Sequence, residues 1–159
     1  MAIIGIVAVD RRGAIGKAGG LPWHYKVDLR FFKEQTTDHV CVMGRRTWAS
    51  LSAPLPNRLN IILSHHLMLE PQASVICLRN ALEILSLAPY LVSDIFIIGG
   101  ASIYRTFFPA IERWIVTEVP LTVEDADTFM PAGYLDGFAL TATQELADAL
   151  VVKFYARMK

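Results

Sequence analysis

The chain has 159 residues, and its fifteen Lys and Arg are balanced by fifteen Asp and Glu, so the formal net charge is zero. Proteins that coat a nucleic acid duplex normally carry a basic excess, and we therefore expect no nucleic acid partner. Hydrophobic residues make up 53% of the chain and charged residues 19%. This composition excludes intrinsic disorder and predicts one domain, or a compact pair of subdomains, with a sizeable core.

The hydrophobic and glycine pattern predicts alternating strands and helices. In chain order we expect a strand at 3–9, a long glycine-rich loop at 10–24, a helix at 27–35, a strand at 40–43, a helix at 46–51, strands at 59–63 and 74–78, a helix at 81–87, a strand at 95–98, a helix at 102–108, a strand at 114–119 and two antiparallel strands within 138–156. Repeated strand, glycine turn and helix indicates an α/β sheet covered by helices on both faces.

The neutral total conceals an uneven charge distribution. Residues 1–60 hold nine basic and four acidic residues, a net charge of +5, whereas residues 61–159 hold six and eleven, a net charge of −5. The stretch 124–148 contains six acids and no Lys or Arg, which is typical of a solvated face.

Membrane, secretion and metal signals are weak. No apolar run approaches the roughly 20 residues of a membrane-spanning helix, and residues 3–9 lack the flanks of a signal peptide, so we expect no membrane partner and a cytoplasmic location. Cys41 and Cys77 lie in apolar runs without metal-ligand spacing, which predicts reduced, buried thiols. His65 and His66 would point to opposite faces of a strand, so we expect no metal site.

Two junctions share one design, in which a buried strand ends in glycine and a helix begins at once. They are Val42-Met43-Gly44-Arg45-Arg46-Thr47 and Ile97-Ile98-Gly99-Gly100-Ala101-Ser102. Glycine admits a ligand to the backbone, and the free N–H groups of a helix start favour an anion. Both junctions are therefore candidate phosphate cradles, although tight turns with solvated arginines would give the same pattern. Neither matches the G-x-x-x-x-G-K-[ST] or G-x-G-x-x-G fingerprint, which weakens the case for ATP hydrolysis and for an ordinary Rossmann dehydrogenase.

A carboxylate occupies an apolar helix face. Asp28, Leu29 and Phe32 fall on one side of the predicted helix 27–35. Burying such a carboxylate is costly unless something hydrogen-bonds it, so Asp28 is a candidate to bind a cationic or N–H-rich heterocycle. The alternative is an acid in the first turn that only complements the helix dipole.

Several motifs in order resemble those of dihydrofolate reductase, of the chromosomal type found in bacteria, from about residue 2 to the end. They are Ile15-Gly16, Leu21-Pro22-Trp23, Asp28-Leu29 with Phe32, the first junction extended to Trp48, Pro54-Leu55-Pro56-Asn57-Arg58, the second junction extended to Ile103-Tyr104, and Asp127-Thr128. The resemblance implies a single domain over 1–159 with an adenosine-binding subdomain at roughly 39–88. It implies a central mixed, mostly parallel eight-stranded sheet flanked by about four helices.

The resemblance also implies the substrate site. Asp28 would hydrogen-bond the pterin ring nitrogen and 2-amino group, with Thr117 supporting it, and Trp23 and Leu21 would complete the catalytic set. Arg58 would hold the α-carboxylate of the glutamate tail. The pterin and aminobenzoyl pocket would be walled by Ile6, Leu29, Phe32, Leu51, Leu55 and Ile98.

The two junctions then become parts of an NADPH site. Arg45 would meet the 2′-phosphate, and the Gly99-Gly100 peptide would be cis. The nicotinamide would be framed by Ala8, Ile15 and Tyr104, with residues 16–23 as a mobile loop that closes over it. The remaining cofactor contacts implied are Gly16, Gly44, Arg46, Thr47, Leu63, Ser64, His65, Ile98, Gly100, Ala101, Ser102 and Ile103.

The sequence departs from the family pattern at three places. Tyr25-Lys26 replaces an apolar-Pro pair, which bears on the helix start. His65 replaces a small hydroxyl residue, and a protonated imidazole there would make the cofactor preference pH-sensitive. Met130 stands where an aromatic residue is common.

The function implied is reduction of 7,8-dihydrofolate to tetrahydrofolate by hydride transfer to C6 and protonation at N5, in a monomer that binds folates and antifolates. Two alternatives stay open: a reductase of the same fold acting on a riboflavin precursor, and a non-catalytic folate- or nucleotide-binding module.

Overall fold

The structure is a computed structural model that describes residues 1–17 and 23–159. Within these residues it contains ten strands and four α-helices, with 3₁₀ turns at Ala88–Tyr90 and Ala147–Ala149. The elements are β1 (Ile3–Val9), β2 (Ala14–Gly16), α1 (Lys26–Thr36), β3 (Val40–Gly44), α2 (Arg45–Ser50), β4 (Leu59–Leu63), β5 (Val75–Leu78), α3 (Ala81–Leu87), β6 (Ile95–Ile97), α4 (Ala101–Phe107), β7 (Arg113–Glu118), β8 (Thr128–Phe129), β9 (Phe138–Glu145) and β10 (Val151–Arg157).

Eight of these strands form one sheet in the order β5-β4-β3-β6-β1-β7-β10-β9. Neighbours from β5 to β7 are parallel, whereas β10 runs antiparallel to both β7 and β9. The parallel strands read as unbroken apolar runs because both faces of such a sheet are covered. The predicted α/β fold with a mixed, mostly parallel eight-stranded sheet and four helices is confirmed.

The core lies on both sides of this sheet. On one face Ile84 of α3 and Phe107 of α4 pack with Trp114 of β7. On the other face Phe31 of α1 packs with Phe96 and Ile115. The prediction of helices on both faces is therefore confirmed. In the described part of the chain, no helix has the length and apolar character needed to cross a membrane.

The main difference from the expected elements lies in the predicted loop 10–24. Residues Ala14–Gly16 form β2, which pairs antiparallel with β8 in a separate two-stranded sheet. Neither strand exceeds three residues, and such short strands leave no periodic signal in the sequence. The other expected elements form with ends that match the prediction or differ from it by one residue.

Both cysteines are free thiols, as predicted, but only one is fully buried. Cys41 lies on the central strand β3 and has no exposed surface. Burial raises its pKa to about 12, against opposing effects of the Arg58 charge and a hydrogen bond with Thr36. The prediction of burial is wrong for Cys77, which is half-buried because β5 is the edge strand of the sheet.

Candidate active site

A buried carboxylate lies where the start of α1 meets β7. Asp28 is 9% exposed, and Thr117 on β7 is buried beside it. The Thr117 hydroxyl donates a hydrogen bond to the Asp28 carboxylate. Burial raises the pKa of Asp28 above its usual value, and the Thr117 bond partly opposes that rise. The two residues predicted to act together are therefore in contact. The pKa of Asp28 is higher than that of an exposed aspartate.

The start of α1 explains how Asp28 reaches this position. Tyr25 precedes the helix in an extended conformation, and its carbonyl accepts hydrogen bonds from the backbone N–H groups of Asp28 and Leu29 at 3.1 and 3.2 Å. The departure at Tyr25-Lys26 therefore leaves the helix start in place. Asp28 also lies in the first turn, where the helix dipole favours a negative charge, as the alternative interpretation of this acid expects.

Five of the six predicted pocket walls share one apolar cluster on the α1 face of the sheet. Leu29 is the exception, because 53% of its surface is exposed. The five that pack together are Ile6, Phe32, Leu51, Leu55 and Ile98.

Arg58 is a buried cation beside this cluster, with 6% of its surface exposed. Its Nε donates to the Pro56 carbonyl at 2.9 Å and its Nη1 to the Thr36 hydroxyl at 3.1 Å. Neither of the two ion pairs found among residues 1–17 and 23–159 includes it. A buried charge is normally paired, so the site suits an anionic group of a ligand, as the predicted role of Arg58 requires.

Trp23 also carries a buried polar group. Its ring packs with Val119 and Leu150, while its Nε1–H is buried and has no hydrogen-bond partner among the described residues. Such orphaned donors are rare in native proteins, so this N–H is suited to donate to a bound ligand or an ordered water. Leu21, also predicted to be catalytic, lies outside the described residues, as do residues 18–22 of the predicted mobile loop.

The two glycine junctions lie side by side, because β3 and β6 are parallel neighbours. The N–H of Gly44 donates to the carbonyl of Gly99 at 2.9 Å, and the Gly99-Gly100 peptide is cis, as the resemblance implied. A Cβ on Gly44 would lie 2.8 Å from Cγ1 of Ile103, whereas a Cβ on Gly100 would meet no atom within 4 Å. Gly44 is thus required for packing, while the backbone at Gly100 is open to a ligand.

Positive charge is concentrated beside the first junction. Arg45 and Arg46 are exposed and begin α2, whose first turn holds no acid. Since Gly44 pairs with Leu63 in the β3–β4 register, Arg45 and Ser64 follow at adjacent strand ends. The remaining predicted cofactor residues here are Thr47, half-buried; His65, exposed; and Ala101 and Ser102, which open α4.

The sequence reasoning missed Arg79. Its Nη1 donates to the carbonyls of Ser64 and Leu67 at 2.9 and 2.7 Å, and the Ser64 hydroxyl accepts from the N–H of Leu67 at 3.1 Å. Arg79 therefore holds the turn that carries Ser64 and His65. A single basic residue after a strand gives no signal of that role.

The predicted nicotinamide and pterin ends converge on β1. Ala8 pairs with Thr117 in the β1–β7 register, and the Tyr104 hydroxyl donates to the carbonyl of Ile6 at 2.6 Å. Ile15 packs against the core on the α4 face, and Gly16 ends β2. Burial raises the pKa of Tyr104, so this phenol remains a hydrogen-bond donor.

The adjacent histidines of the sequence follow β4. His65 and His66 are exposed, with ring centroids 6.3 Å apart. Within the described ranges, no group of three or more His, Cys, Asp and Glu side chains could hold a metal ion.

The sequence of this chain matches a known protein family. The family model, described as dihydrofolate reductase, matches residues 2–156. The chain belongs to the dihydrofolate reductase family. Among curated members, the dihydrofolate reductase of Mycobacterium leprae (strain TN) is 38% identical, with 82% of each chain covered. That of Bacillus subtilis (strain 168) is 39% identical, covering 72% of this chain and 67% of the relative.

A longer member of the family and a solved structure complete the comparison. The bifunctional dihydrofolate reductase-thymidylate synthase of Zea mays is 40% identical over 79% of this chain, which spans only 28% of that protein. The dihydrofolate reductase of Enterococcus faecalis, solved in complex with NADP(H) and RAB-propyl, superposes with a TM-score of 0.89. It is 30% identical, with 99% of this chain and 97% of that chain covered.

Proposed function

We propose that this chain reduces 7,8-dihydrofolate to 5,6,7,8-tetrahydrofolate. The observation that carries the proposal is the buried Asp28–Thr117 pair, within a chain that matches the dihydrofolate reductase family over residues 2–156. In that reaction NADPH supplies the hydride that C6 receives, and N5 receives a proton.

Asp28 binds and orients the pterin in this proposal. Its carboxylate accepts hydrogen bonds from the ring nitrogen and the 2-amino group, and these charge-assisted bonds fix the heterocycle in the pocket. Thr117 keeps the carboxylate in that orientation through its hydroxyl. The proton for N5 comes from water, because Asp28 contacts the ring nitrogen and the 2-amino group and does not reach N5.

The apolar walls and Arg58 bind the rest of the substrate. Phe32, Leu51 and Leu55 enclose the aminobenzoyl ring, and their packing as partly buried side chains against one apolar cluster supports this role. Arg58 pairs with the α-carboxylate of the glutamate, which supplies the counter-charge that a buried guanidinium needs.

The residues at the two junctions fit a pyrophosphate and a 2′-phosphate. Gly100 leaves its backbone open, Arg45 and Arg46 are exposed cations, and Ser64 lies next to Arg45 across the β3–β4 register. Because α2 and α4 have only six and seven residues, we attribute phosphate binding chiefly to the glycine backbone and the arginines. Ala8, Ile15 and Tyr104 orient the nicotinamide beside the pterin site.

We further propose that the chain acts as a monomer in the cytoplasm and also binds antifolates. Residues 39–88 would form its adenosine-binding subdomain. The E. faecalis relative, which has the same fold and was solved in complex with NADP(H) and RAB-propyl, supports the binding of such ligands.

The test is to mix the protein with NADPH and dihydrofolate and to follow the loss of NADPH absorbance. We expect decay that depends on both the enzyme and dihydrofolate; decay no faster than background would contradict the proposal and favour a binding module. A parallel reaction with a ribityl-bearing riboflavin precursor tests the other alternative. That substrate has no glutamate carboxylate for Arg58, so we expect no turnover.

A further inference from the structure

We propose that Asn60 is a positioning residue that sets recognition of the substrate's glutamate tail by holding the loop that carries Arg58. Asn60 lies on β4 with no exposed surface. This inference rests on the proposed function, since it assigns a role to Asn60 at the same site.

The Asn60 side chain closes the loop 55–58 with hydrogen bonds at both of its ends. Its Oδ1 accepts from the backbone N–H of Leu55 at 2.9 Å, and its Nδ2 donates to the carbonyl of the same residue at 3.0 Å. The same Nδ2 lies 3.1 Å from the carbonyl of Arg58 and 3.3 Å from that of Ser74. One amide therefore ties the loop's first residue, its last residue and the residue before the edge strand β5.

These bonds reach the Arg58 guanidinium through the loop itself. Its Nε donates to the carbonyl of Pro56, which lies between the two ends that Asn60 joins. The middle of the loop has a second anchor, because the N–H of Asp38 donates to the carbonyl of Asn57 at 2.7 Å. The guanidinium is also fixed from outside the loop by Thr36 at 3.1 Å. A shift of the loop would therefore move the Pro56 carbonyl away from Nε of Arg58, while Thr36 would still hold Nη1.

The cost of losing the amide is local. Substitution by alanine leaves the Leu55 N–H and the carbonyls of Leu55 and Arg58 without the Asn60 amide, whereas the Ser74 carbonyl keeps its bond from the Asn60 backbone N–H. The loop must rearrange to satisfy the groups that lose their partner. Leu55 and Arg58 move with it, whereas Asp28 and Thr117 lie on α1 and β7 and keep their places. The loss should consequently fall on the tail end of the substrate and spare the pterin end.

The experiment compares Asn60→Ala with wild type on dihydrofolate and on dihydropteroate, which keeps the aminobenzoyl ring and lacks the glutamate. We expect KM for dihydrofolate to rise by about 10- to 100-fold, the loss of affinity that follows from losing a charge-assisted hydrogen bond to the glutamate carboxylate, with kcat nearly unchanged. KM for dihydropteroate and KM for NADPH should each change by less than about threefold, which is a much smaller effect than a tenfold change in affinity. Ile84→Ala, which opens a cavity on the opposite face of the sheet, is the control for destabilisation alone.

A double-mutant cycle with Arg58→Ala sharpens the test. If Asn60 acts through Arg58, then Asn60→Ala should add little to the KM for dihydrofolate once Arg58 is gone. Equal losses on both substrates, or the pattern of the Ile84→Ala control, would overturn the inference. Asn60→Ser serves where the alanine variant does not fold, and failure of both variants to fold would also overturn it in favour of a purely structural role. Inactive wild-type protein would instead refute the proposed function.

Discussion

The backbone N–H of Gly44 donates to the carbonyl of Gly99 at 2.9 Å, which joins the ends of two parallel strands 55 positions apart in the sequence. This hydrogen bond places the backbones of the two glycine junctions side by side. The two candidate phosphate sites are therefore neighbours, and Arg45 and Arg46 follow Gly44 directly as the first residues of α2.

Gly100→Ala tests whether a ligand approaches this backbone. Because a Cβ at Gly100 would meet no protein atom within 4 Å, we expect the variant to keep its thermal stability and to bind NADPH more weakly. Gly44→Ala is the matched control, since its Cβ would press on Ile103 at 2.8 Å and should lower Tm. Thermal unfolding and fluorescence titration with NADPH measure both effects. Unchanged NADPH affinity in Gly100→Ala would place the pyrophosphate elsewhere.

Asp28→Asn should separate catalysis from cofactor binding. The amide cannot provide the carboxylate's paired acceptors, so we expect kcat with dihydrofolate to fall by about 100-fold or more, with the Kd for NADPH nearly unchanged. Steady-state kinetics and a cofactor titration check this pair of expectations. A comparable loss of NADPH affinity would show that Asp28 does not serve the substrate side.

The same substitution should stabilise the ligand-free protein relative to wild type, and this difference should grow as the pH rises. The pKa of Asp28 is raised by folding, so the folded state binds more protons than the unfolded state between the two pKa values, and its stability falls as pH increases through that window. Asn carries no such penalty. Urea unfolding from about pH 4, near the unfolded aspartate pKa, to neutrality should therefore show the variant gaining stability relative to wild type. A difference independent of pH would contradict the raised pKa.

Thr117→Val removes the hydroxyl that favours the ionised form of Asp28. We expect the pKa of Asp28 to rise further, and the variant to be destabilised most at pH values where the carboxylate is charged. A hydrogen bond to a charged group is worth about 1.5 to 3 kcal/mol, which sets the expected difference in the free energy of unfolding at high pH. Thr117→Ser, which keeps the hydroxyl, should restore the wild-type profile. Identical pH profiles for Val and Ser would refute the assigned bond.

Arg45→Ala should discriminate between the two nicotinamide dinucleotides. Loss of a charge-assisted contact with the 2′-phosphate costs about 1.5 to 3 kcal/mol, so NADPH should weaken far more than NADH. Arg113→Ala is the control for total charge. Arg113 begins β7, is exposed and forms an ion pair with Asp94. Titration of both dinucleotides against both variants gives the answer, and equal weakening of NADPH and NADH by Arg45→Ala would place Arg45 outside that site.

Much of this arrangement could be predicted from the sequence, because the signals are local. Parallel strands buried on both faces give apolar runs such as Val40–Gly44, and glycines mark their ends. Asp28 was identifiable as a carboxylate beside apolar positions on a helix. The family resemblance supplied the partner Thr117, which no spacing rule connects to a residue 89 positions earlier.

The rest depended on tertiary contacts. Strands β2 and β8 are too short to show a period, and they pair across more than 100 residues. Asn60 and Arg79 act through side-chain hydrogen bonds to backbone carbonyls. Residue type alone does not predict such bonds. Cys77 belongs to an apolar run like Cys41, and only the position of β5 at the sheet edge explains its exposure.

Hydride transfer from NADPH to dihydrofolate is tested most directly by following the transferred hydrogen. NADPH deuterated at both C4 positions of the nicotinamide is mixed with the protein and dihydrofolate, and the product is analysed by NMR and mass spectrometry. We expect tetrahydrofolate carrying one deuterium at C6 and no other carbon-bound deuterium, with the N5 proton drawn from solvent. Tetrahydrofolate without deuterium at C6, or no tetrahydrofolate at all, would contradict it.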